Sequence, residues 1–150
     1  MREAVNILVA EDQPADVLLL KRAFSQVGIT APLHFVQDGQ EAIDYLSGQD
    51  GFTDRQAHPL PTMMLLDLKM PRLDGFDVLG WVRQQPTLKR LPIIVLSSSN
   101  IPEDIDRAYD LGANSFIVKP SGIDAQRQVV EQLQDYWLEL NQMPRCVRGS

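Results

Sequence analysis

The feature that most constrains the fold is an apolar run, Met63–Leu66, that ends at an acidic residue, Asp67. Short, uninterrupted apolar runs are typical of strands in a parallel sheet that is covered on both faces. Four further segments are predicted as strands and alternate with helical patterns, at residues 5–10, 33–36, 91–96 and 115–118. This alternation predicts an α/β fold, a doubly wound five-stranded parallel sheet with helices on both faces.

Composition limits the kinds of protein that this chain can be. The 150 residues are 44% apolar and 23% charged, which is typical of a globular domain, and we assign this domain to residues 1–143. Residues 144–150 are predicted to be a disordered tail that could derive from cloning. The net charge of −6 argues against nucleic-acid binding. No apolar run reaches the roughly 18 residues that a membrane span needs. The single cysteine, Cys146, is consistent with a reducing cytoplasm.

Polar side chains follow the predicted strands at the points where the strands end. Glu11 and Asp12 follow the first strand, Asp67 the third, Ser97 the fourth and Lys119 the fifth. In the flavodoxin-like order 2-1-3-4-5, the first and third strands are neighbours, and ligands bind in the crevice at their carboxyl ends.

The acidic residues at this predicted crevice would repel one another. Two carboxylates about 4 Å apart repel by roughly 4 kcal/mol at an effective dielectric constant near 20. Oxygen-only ligands favour a hard cation, so the sequence predicts a Mg²⁺ site. Lys119 adds a positive charge that suits an incoming phosphoryl group.

Five motifs follow one another along the chain: Glu11-Asp12, Asp67 within Leu-Leu-Asp-Leu-Lys-Met-Pro, Asp74-Gly75, Ser97 and Lys119-Pro120. In this order they resemble the receiver domain of two-component response regulators. The resemblance extends over about residues 4–141. Further features resemble the stand-alone regulators that partner bacterial phytochrome kinases: the long loop before the central strand, the segment 86–92, and Tyr136-Trp137-Leu138 in the last helix.

This resemblance implies a phosphoacceptor rather than an enzyme. Asp67 would accept a phosphoryl group from a histidine kinase, with phytochrome kinases as the expected class. Asp12, Asp67 and the backbone carbonyl of Lys69 would ligate Mg²⁺, and Glu11 would act through water.

The resemblance also implies a conformational switch. Ser97 and Lys119 would hydrogen-bond the phosphoryl oxygens, with a cis peptide bond between Lys119 and Pro120. The Ser97 hydroxyl would move toward the phosphoryl group while the ring of Phe116 turns inward. The family often has Thr and Tyr at these two positions, so Phe116 lacks the polar group of the usual ring.

The last predicted helix, residues 121–141, carries two apolar lines. The first is an inward stripe of Ile123, Val130, Leu133, Trp137 and Leu140. The second contains Val129, Tyr136 and Met143, seven residues apart, and predicts a homodimer through the fourth helix, fifth strand and fifth helix that phosphorylation strengthens. The alternative is that the tail simply covers the helix end.

Two other functions compete with this interpretation. A phosphatase with an aspartyl-phosphate nucleophile would need a second acid two residues after Asp67, where Lys69 stands. A degenerate receiver that acts as a phosphorylation-independent interaction module is also compatible with the sequence. Lys69 and Ser99 are expected to face solvent, and the polar loop at residues 48–61 has no assigned role.

Overall fold

A parallel five-stranded sheet forms the centre of the chain in a computed structural model that describes residues 5–145. The strands are β1 (Ile7–Ala10), β2 (Leu33–Val36), β3 (Met63–Leu66), β4 (Ile93–Ser97) and β5 (Ser115–Val118). Their order in the sheet is β2-β1-β3-β4-β5, which confirms the predicted fold. In the pairing of β1 with β3, Ala10 lies opposite Leu66.

Helices cover both faces of this sheet, because alternate residues of each strand point to opposite sides. The helices are α1 (Pro14–Val27), α2 (Gly39–Ser47), α3 (Gly75–Gln84), α4 (Pro102–Asp110) and α5 (Ile123–Leu133). Leu8 and Ala10 of β1 join the apolar core beneath α2, α3 and α4, whereas Ile7 and Val9 join the apolar core beneath α1 and α5. The polar residues of the predicted site lie beyond these cores, at the strand ends.

Short acidic side chains fix the start of two helices beside the strand ends. The Asp38 carboxylate accepts a hydrogen bond from the Glu41 amide at 2.7 Å at the start of α2. Asp74 and Asp77 form a reciprocal capping box at the start of α3. Such caps satisfy amides that have no partner within the helix, so α3 begins at a defined position just after Asp67.

The last helix differs from the prediction, because α5 continues into a π-helical segment, Gln134–Leu140. The amide of Asn141 donates to the carbonyl of Tyr136, five residues earlier. A wider turn rotates the following side chains away from the stripe that a regular α-helix would give. Leu140 is accordingly 70% exposed, so its predicted inward position was wrong. Ile123 is 47% exposed, and its predicted inward position was also wrong, because it is the first residue of α5 and lies at the open end of the helix. Residues 146–150 of the predicted tail lie outside the described part of the chain.

The loop over residues 48–61 packs onto the end of α2. The Arg55 guanidinium donates to the carbonyls of Tyr45 and Leu46 in the last turn of that helix. The Tyr45 hydroxyl donates to the Pro59 carbonyl, and its ring contacts those of Phe52 and His58. Within residues 5–145, no helix is both long enough and apolar enough to cross a membrane.

Candidate functional site

Backbone register brings the predicted site residues to one edge of the sheet. The amide of Asp67 donates to the carbonyl of Ala10 at 3.0 Å, which places Asp67 beside Glu11. The amide of Lys119 donates to the carbonyl of Ser97 at 2.7 Å. The four strand ends therefore meet as the predicted order requires.

The acidic residues of this edge form a tight cluster. Each of Glu11, Asp12 and Asp67 offers a carboxylate oxygen, and these three atoms lie within 4.8 Å of one another. Glu11 and Asp67 are buried, and Oδ1 of Asp12 is buried with no hydrogen-bond partner. A buried carboxylate oxygen without a partner is costly, so the cluster could hold a divalent cation that prefers oxygen ligands.

Lys119 lies among the carboxylates as the cation of the site. Its Nζ atom donates to Glu11 Oε2 at 2.9 Å, to Asp16 Oδ2 at 2.9 Å and to Asp67 Oδ2 at 3.2 Å. Asp16 did not figure in the sequence prediction. The available signal was its spacing, because Asp16 lies four residues after Asp12, at the first turn of α1.

Burial and charge shift two pKa values in this cluster. Loss of hydration raises the pKa of Glu11 to about 7, and repulsion by Asp67 adds to the rise, while the hydrogen bond from Lys119 opposes it. Burial works to lower the pKa of Lys119, but the hydrogen bonds to Glu11 and Asp16 outweigh it and raise that pKa. The ammonium therefore stays protonated at neutral pH.

A chain of hydrogen bonds links the end of β4 to α4. The fully buried Ser97 accepts a hydrogen bond at Oγ from the Ser99 amide at 3.1 Å. The Ser99 hydroxyl donates to Asp104 Oδ2 at 2.7 Å. Ser99 is only 7% exposed, so the expectation that it faces solvent was wrong, because its hydroxyl is held by the first turn of α4.

The remaining predicted site residues lie close to this edge. The side chain of Lys69 is exposed, as expected, on the loop after Asp67. Phe116 lies opposite Val95 in the sheet and packs partly buried against the core beneath α4. The implied cis bond between Lys119 and Pro120 is absent: this bond is trans, the isomer that an X-Pro bond favours by about 0.5–1 kcal/mol.

The three residues of the predicted dimer face have different environments. Tyr136 is 49% exposed, and its ring meets that of Trp137 edge-on at 5.2 Å. Val129 and Met143 are partly buried against the chain's own core beneath α1 and α5. Of the three, Tyr136 alone presents a largely open apolar surface.

Similarity to known proteins agrees with this geometry. Residues 7–131 match the family described as the response regulator receiver domain. Response regulator Rcp1 of Synechocystis is 32% identical over 138 residues, which are 92% of this chain and 92% of that protein.

Solved structures give the same result. The response regulator RPA3017 in red light signalling of R. palustris superimposes with a TM-score of 0.88 at 39% identity, over 93% of this chain and 98% of the other. The phosphorylated cyanobacterial phytochrome response regulator RcpA gives a TM-score of 0.87 at 33% identity, over 95% and 99%. The Mn²⁺-bound form of Rcp1 gives 0.84 at 31% identity, over 93% and 99%. The chain therefore belongs to the family of response regulator receiver domains.

Proposed function

We propose that residues 1–143 form a receiver domain that accepts a phosphoryl group on Asp67 from a histidine kinase in the cytoplasm. The observation that carries this proposal is the buried Asp67 carboxylate, which contacts Lys119 Nζ at 3.2 Å beside the acid pair Glu11 and Asp12. A phytochrome kinase is the proposed donor class. The similarity to RPA3017, a response regulator in red light signalling, and to RcpA, a phytochrome response regulator, supports that choice.

Phosphoryl transfer needs a nucleophile and charge neutralisation, and this site supplies both. An oxygen of Asp67 attacks the phosphorus of a phosphohistidine. The new phosphorus–oxygen bond forms as the phosphorus–nitrogen bond breaks, and the electron pair of the broken bond returns to the imidazole. Lys119 donates a hydrogen bond to one phosphoryl oxygen, and the hydroxyl of Ser97 donates to another.

A divalent cation fits the oxygen cluster, and we propose Mg²⁺. Asp12, Asp67 and the backbone carbonyl of Lys69 would hold it, with Glu11 acting through water. When bound, the ion neutralises carboxylates and phosphoryl oxygens that would otherwise repel each other.

The direct test is incubation of the full chain with a small phosphodonor and Mg²⁺, followed by intact mass measurement. We expect a gain of about 80 Da, the mass of one phosphoryl group, that depends on the metal. A chain that shows no mass gain would instead support a phosphorylation-independent interaction module.

Replacement of Asp12 by alanine is expected to weaken Mg²⁺ binding by about tenfold or more, because one hard ligand is lost. Isothermal titration calorimetry of the parent and the variant measures this change, and phosphorylation by the small donor should slow in parallel. Asp124→Ala is the matched control, since Asp124 is 88% exposed at the start of α5. Equal affinities of Asp12→Ala and the parent would refute the ligand set.

We also propose a homodimer through α4, β5 and the last helix, strengthened by phosphorylation. Within residues 5–145, seven large apolar side chains are exposed, and six of them lie on or next to these elements. Large exposed apolar patches mark protein contacts, and an edge strand such as β5 is open to pairing. The six are Ile101, Tyr109, Val118, Ile123, Tyr136 and Leu140.

Tyr136→Glu is expected to give a monomer with normal phosphorylation of Asp67. In an isologous contact the change places a charge on each subunit, so one substitution acts twice. Light scattering after size exclusion, with and without phosphodonor, measures the mass. Leu18→Glu is the control, because Leu18 is 66% exposed on α1 and lies outside the proposed face. A parent that stays monomeric at high micromolar concentration in both states contradicts the dimer.

A further inference from the structure

Asp16 is an acidic residue of the site that the proposed function does not use. It lies in the first turn of α1, and its Oδ2 accepts a hydrogen bond from Lys119 Nζ at 2.9 Å. The contact between Lys119 and Asp67 is longer, at 3.2 Å. Asp16 therefore holds the lysine at least as closely as the proposed phosphoacceptor does.

The hydrogen-bonding capacity of Lys119 is fully used. An ammonium group has three N–H donors, and the three carboxylates of Glu11, Asp16 and Asp67 each accept one of them. Lys119 can donate to a phosphoryl oxygen only if one of these acceptors gives up its hydrogen bond.

Because Asp67 itself would carry the phosphoryl group, the acceptors to compare are Glu11 and Asp16, and exposure decides which of them gives up its hydrogen bond from Lys119 at the smaller cost in free energy. The side chains of Glu11 and Asp67 are both 6% exposed, whereas that of Asp16 is 39% exposed. A carboxylate that loses its partner in a buried position keeps its desolvation penalty, whereas an exposed one is rehydrated. A cavity of about 40 Å³, lined in part by Asp16, Lys119 and Gln126, adjoins the contact and is large enough for a water molecule.

We propose that Asp16 is a positioning residue, which holds Lys119 in the resting state and releases it when a phosphoryl group on Asp67 takes one of the ammonium hydrogens. This inference rests on the proposed function of Asp67. Because Asp16 binds Lys119 in the resting arrangement only, it sets the equilibrium between that arrangement and the phosphoryl-bound one. Loss of the Asp16 charge should therefore favour the phosphoryl-bound arrangement.

The test uses the full chain with Mg²⁺ and beryllofluoride, a stable mimic of a phosphoryl group. We expect Asp16→Asn to bind beryllofluoride about threefold to tenfold more tightly than the parent, the range for a half-exposed charged hydrogen bond. Asp124→Asn, which removes an equal charge from an exposed position, should change the affinity by less than about twofold.

A second comparison separates positioning from a general effect of charge. In a Lys119→Ala background, Asp16→Asn should leave the affinity for beryllofluoride unchanged, because the group that Asp16 holds is gone. An equal shift in both backgrounds would overturn the proposal. The proposal would also be overturned if the single variant Asp16→Asn bound beryllofluoride as tightly as the parent or more weakly. In that case Lys119 would reach the phosphoryl mimic by giving up its hydrogen bond to Asp67, and it would keep the one to Asp16.

The contact between Asp16 and Lys119 in the unphosphorylated protein is tested in the absence of metal and of the phosphoryl mimic. Reductive methylation followed by peptide mass analysis should label Lys119 several-fold faster in Asp16→Asn than in the parent, while exposed Lys69 reacts at the same rate in both. Equal labelling of Lys119 would contradict the resting contact. A parent that does not bind beryllofluoride would overturn the proposed function itself, whereas a parent that binds it alongside an unshifted variant would overturn only the role of Asp16.

Discussion

Asp67→Asn is expected to abolish the mass gain of about 80 Da that we expect for the parent with a small phosphodonor and Mg²⁺. Asparagine preserves the size of the side chain and an oxygen that can accept from Lys119, but its neutral amide is a far weaker nucleophile than a carboxylate. Because Asp67 is buried and its amide already donates to the carbonyl of Ala10, the backbone should keep its path. Intact mass measurement at matched times gives the comparison.

Asp135→Asn is the control for this experiment, because Asp135 is exposed on the last helix and lies outside the acidic cluster. It should be phosphorylated like the parent. Undiminished labelling of Asp67→Asn would show that another residue is the phosphoacceptor. Circular dichroism of all three proteins would show whether a loss of labelling reflects chemistry rather than unfolding.

The sheet and the main site could be predicted because both depend on simple regularities of sequence. Buried apolar runs such as Met63–Leu66 mark strands, and a polar residue directly after such a run lies at the carboxyl edge of a parallel sheet. Glu11, Asp12, Asp67 and Lys119 all obey that rule, and the structure places them together.

The features that were missed depend on contacts that a local pattern does not contain. Asp16 is in a helix and reaches Lys119, which is 103 residues away in the chain. Ser99 is buried because Asp104 accepts from its hydroxyl, although its polar neighbours predict exposure. The position of Leu140 depends on a π-helical turn, and a search for a 3.6-residue period assumes that no such turn occurs.

Gly75 packs against the backbone of Asp67 and Leu68, so a substitution at this position should affect both the stability of the fold and the proposed reaction of Asp67. It begins α3 against the loop that carries Asp67, and its amide donates to the carbonyl of Leu68 at 2.9 Å. A Cβ atom at position 75 would lie closer than 3.0 Å to the backbone oxygen of Asp67 and to Cα of Leu68. Backbone atoms cannot rotate away as a flexible side chain does, so α3 or the end of β3 must shift.

Gly75→Ala is therefore expected to destabilise the fold by about 2–4 kcal/mol and to slow the proposed phosphorylation of Asp67, because the displaced backbone belongs to the proposed phosphoacceptor. Gly80→Ala is the matched control in the same helix. Among residues 5–145, outside the backbone of α3 itself, the one atom within 4 Å of a Cβ atom there would be Leu111 Cδ2, at 3.9 Å. Alanine should therefore stabilise α3 by about 0.5–1 kcal/mol. In urea unfolding, the midpoint concentration should be lower than that of the parent for Gly75→Ala and higher for Gly80→Ala. Equal midpoints for the two variants would show that the contact between α3 and the Asp67 backbone does not limit stability.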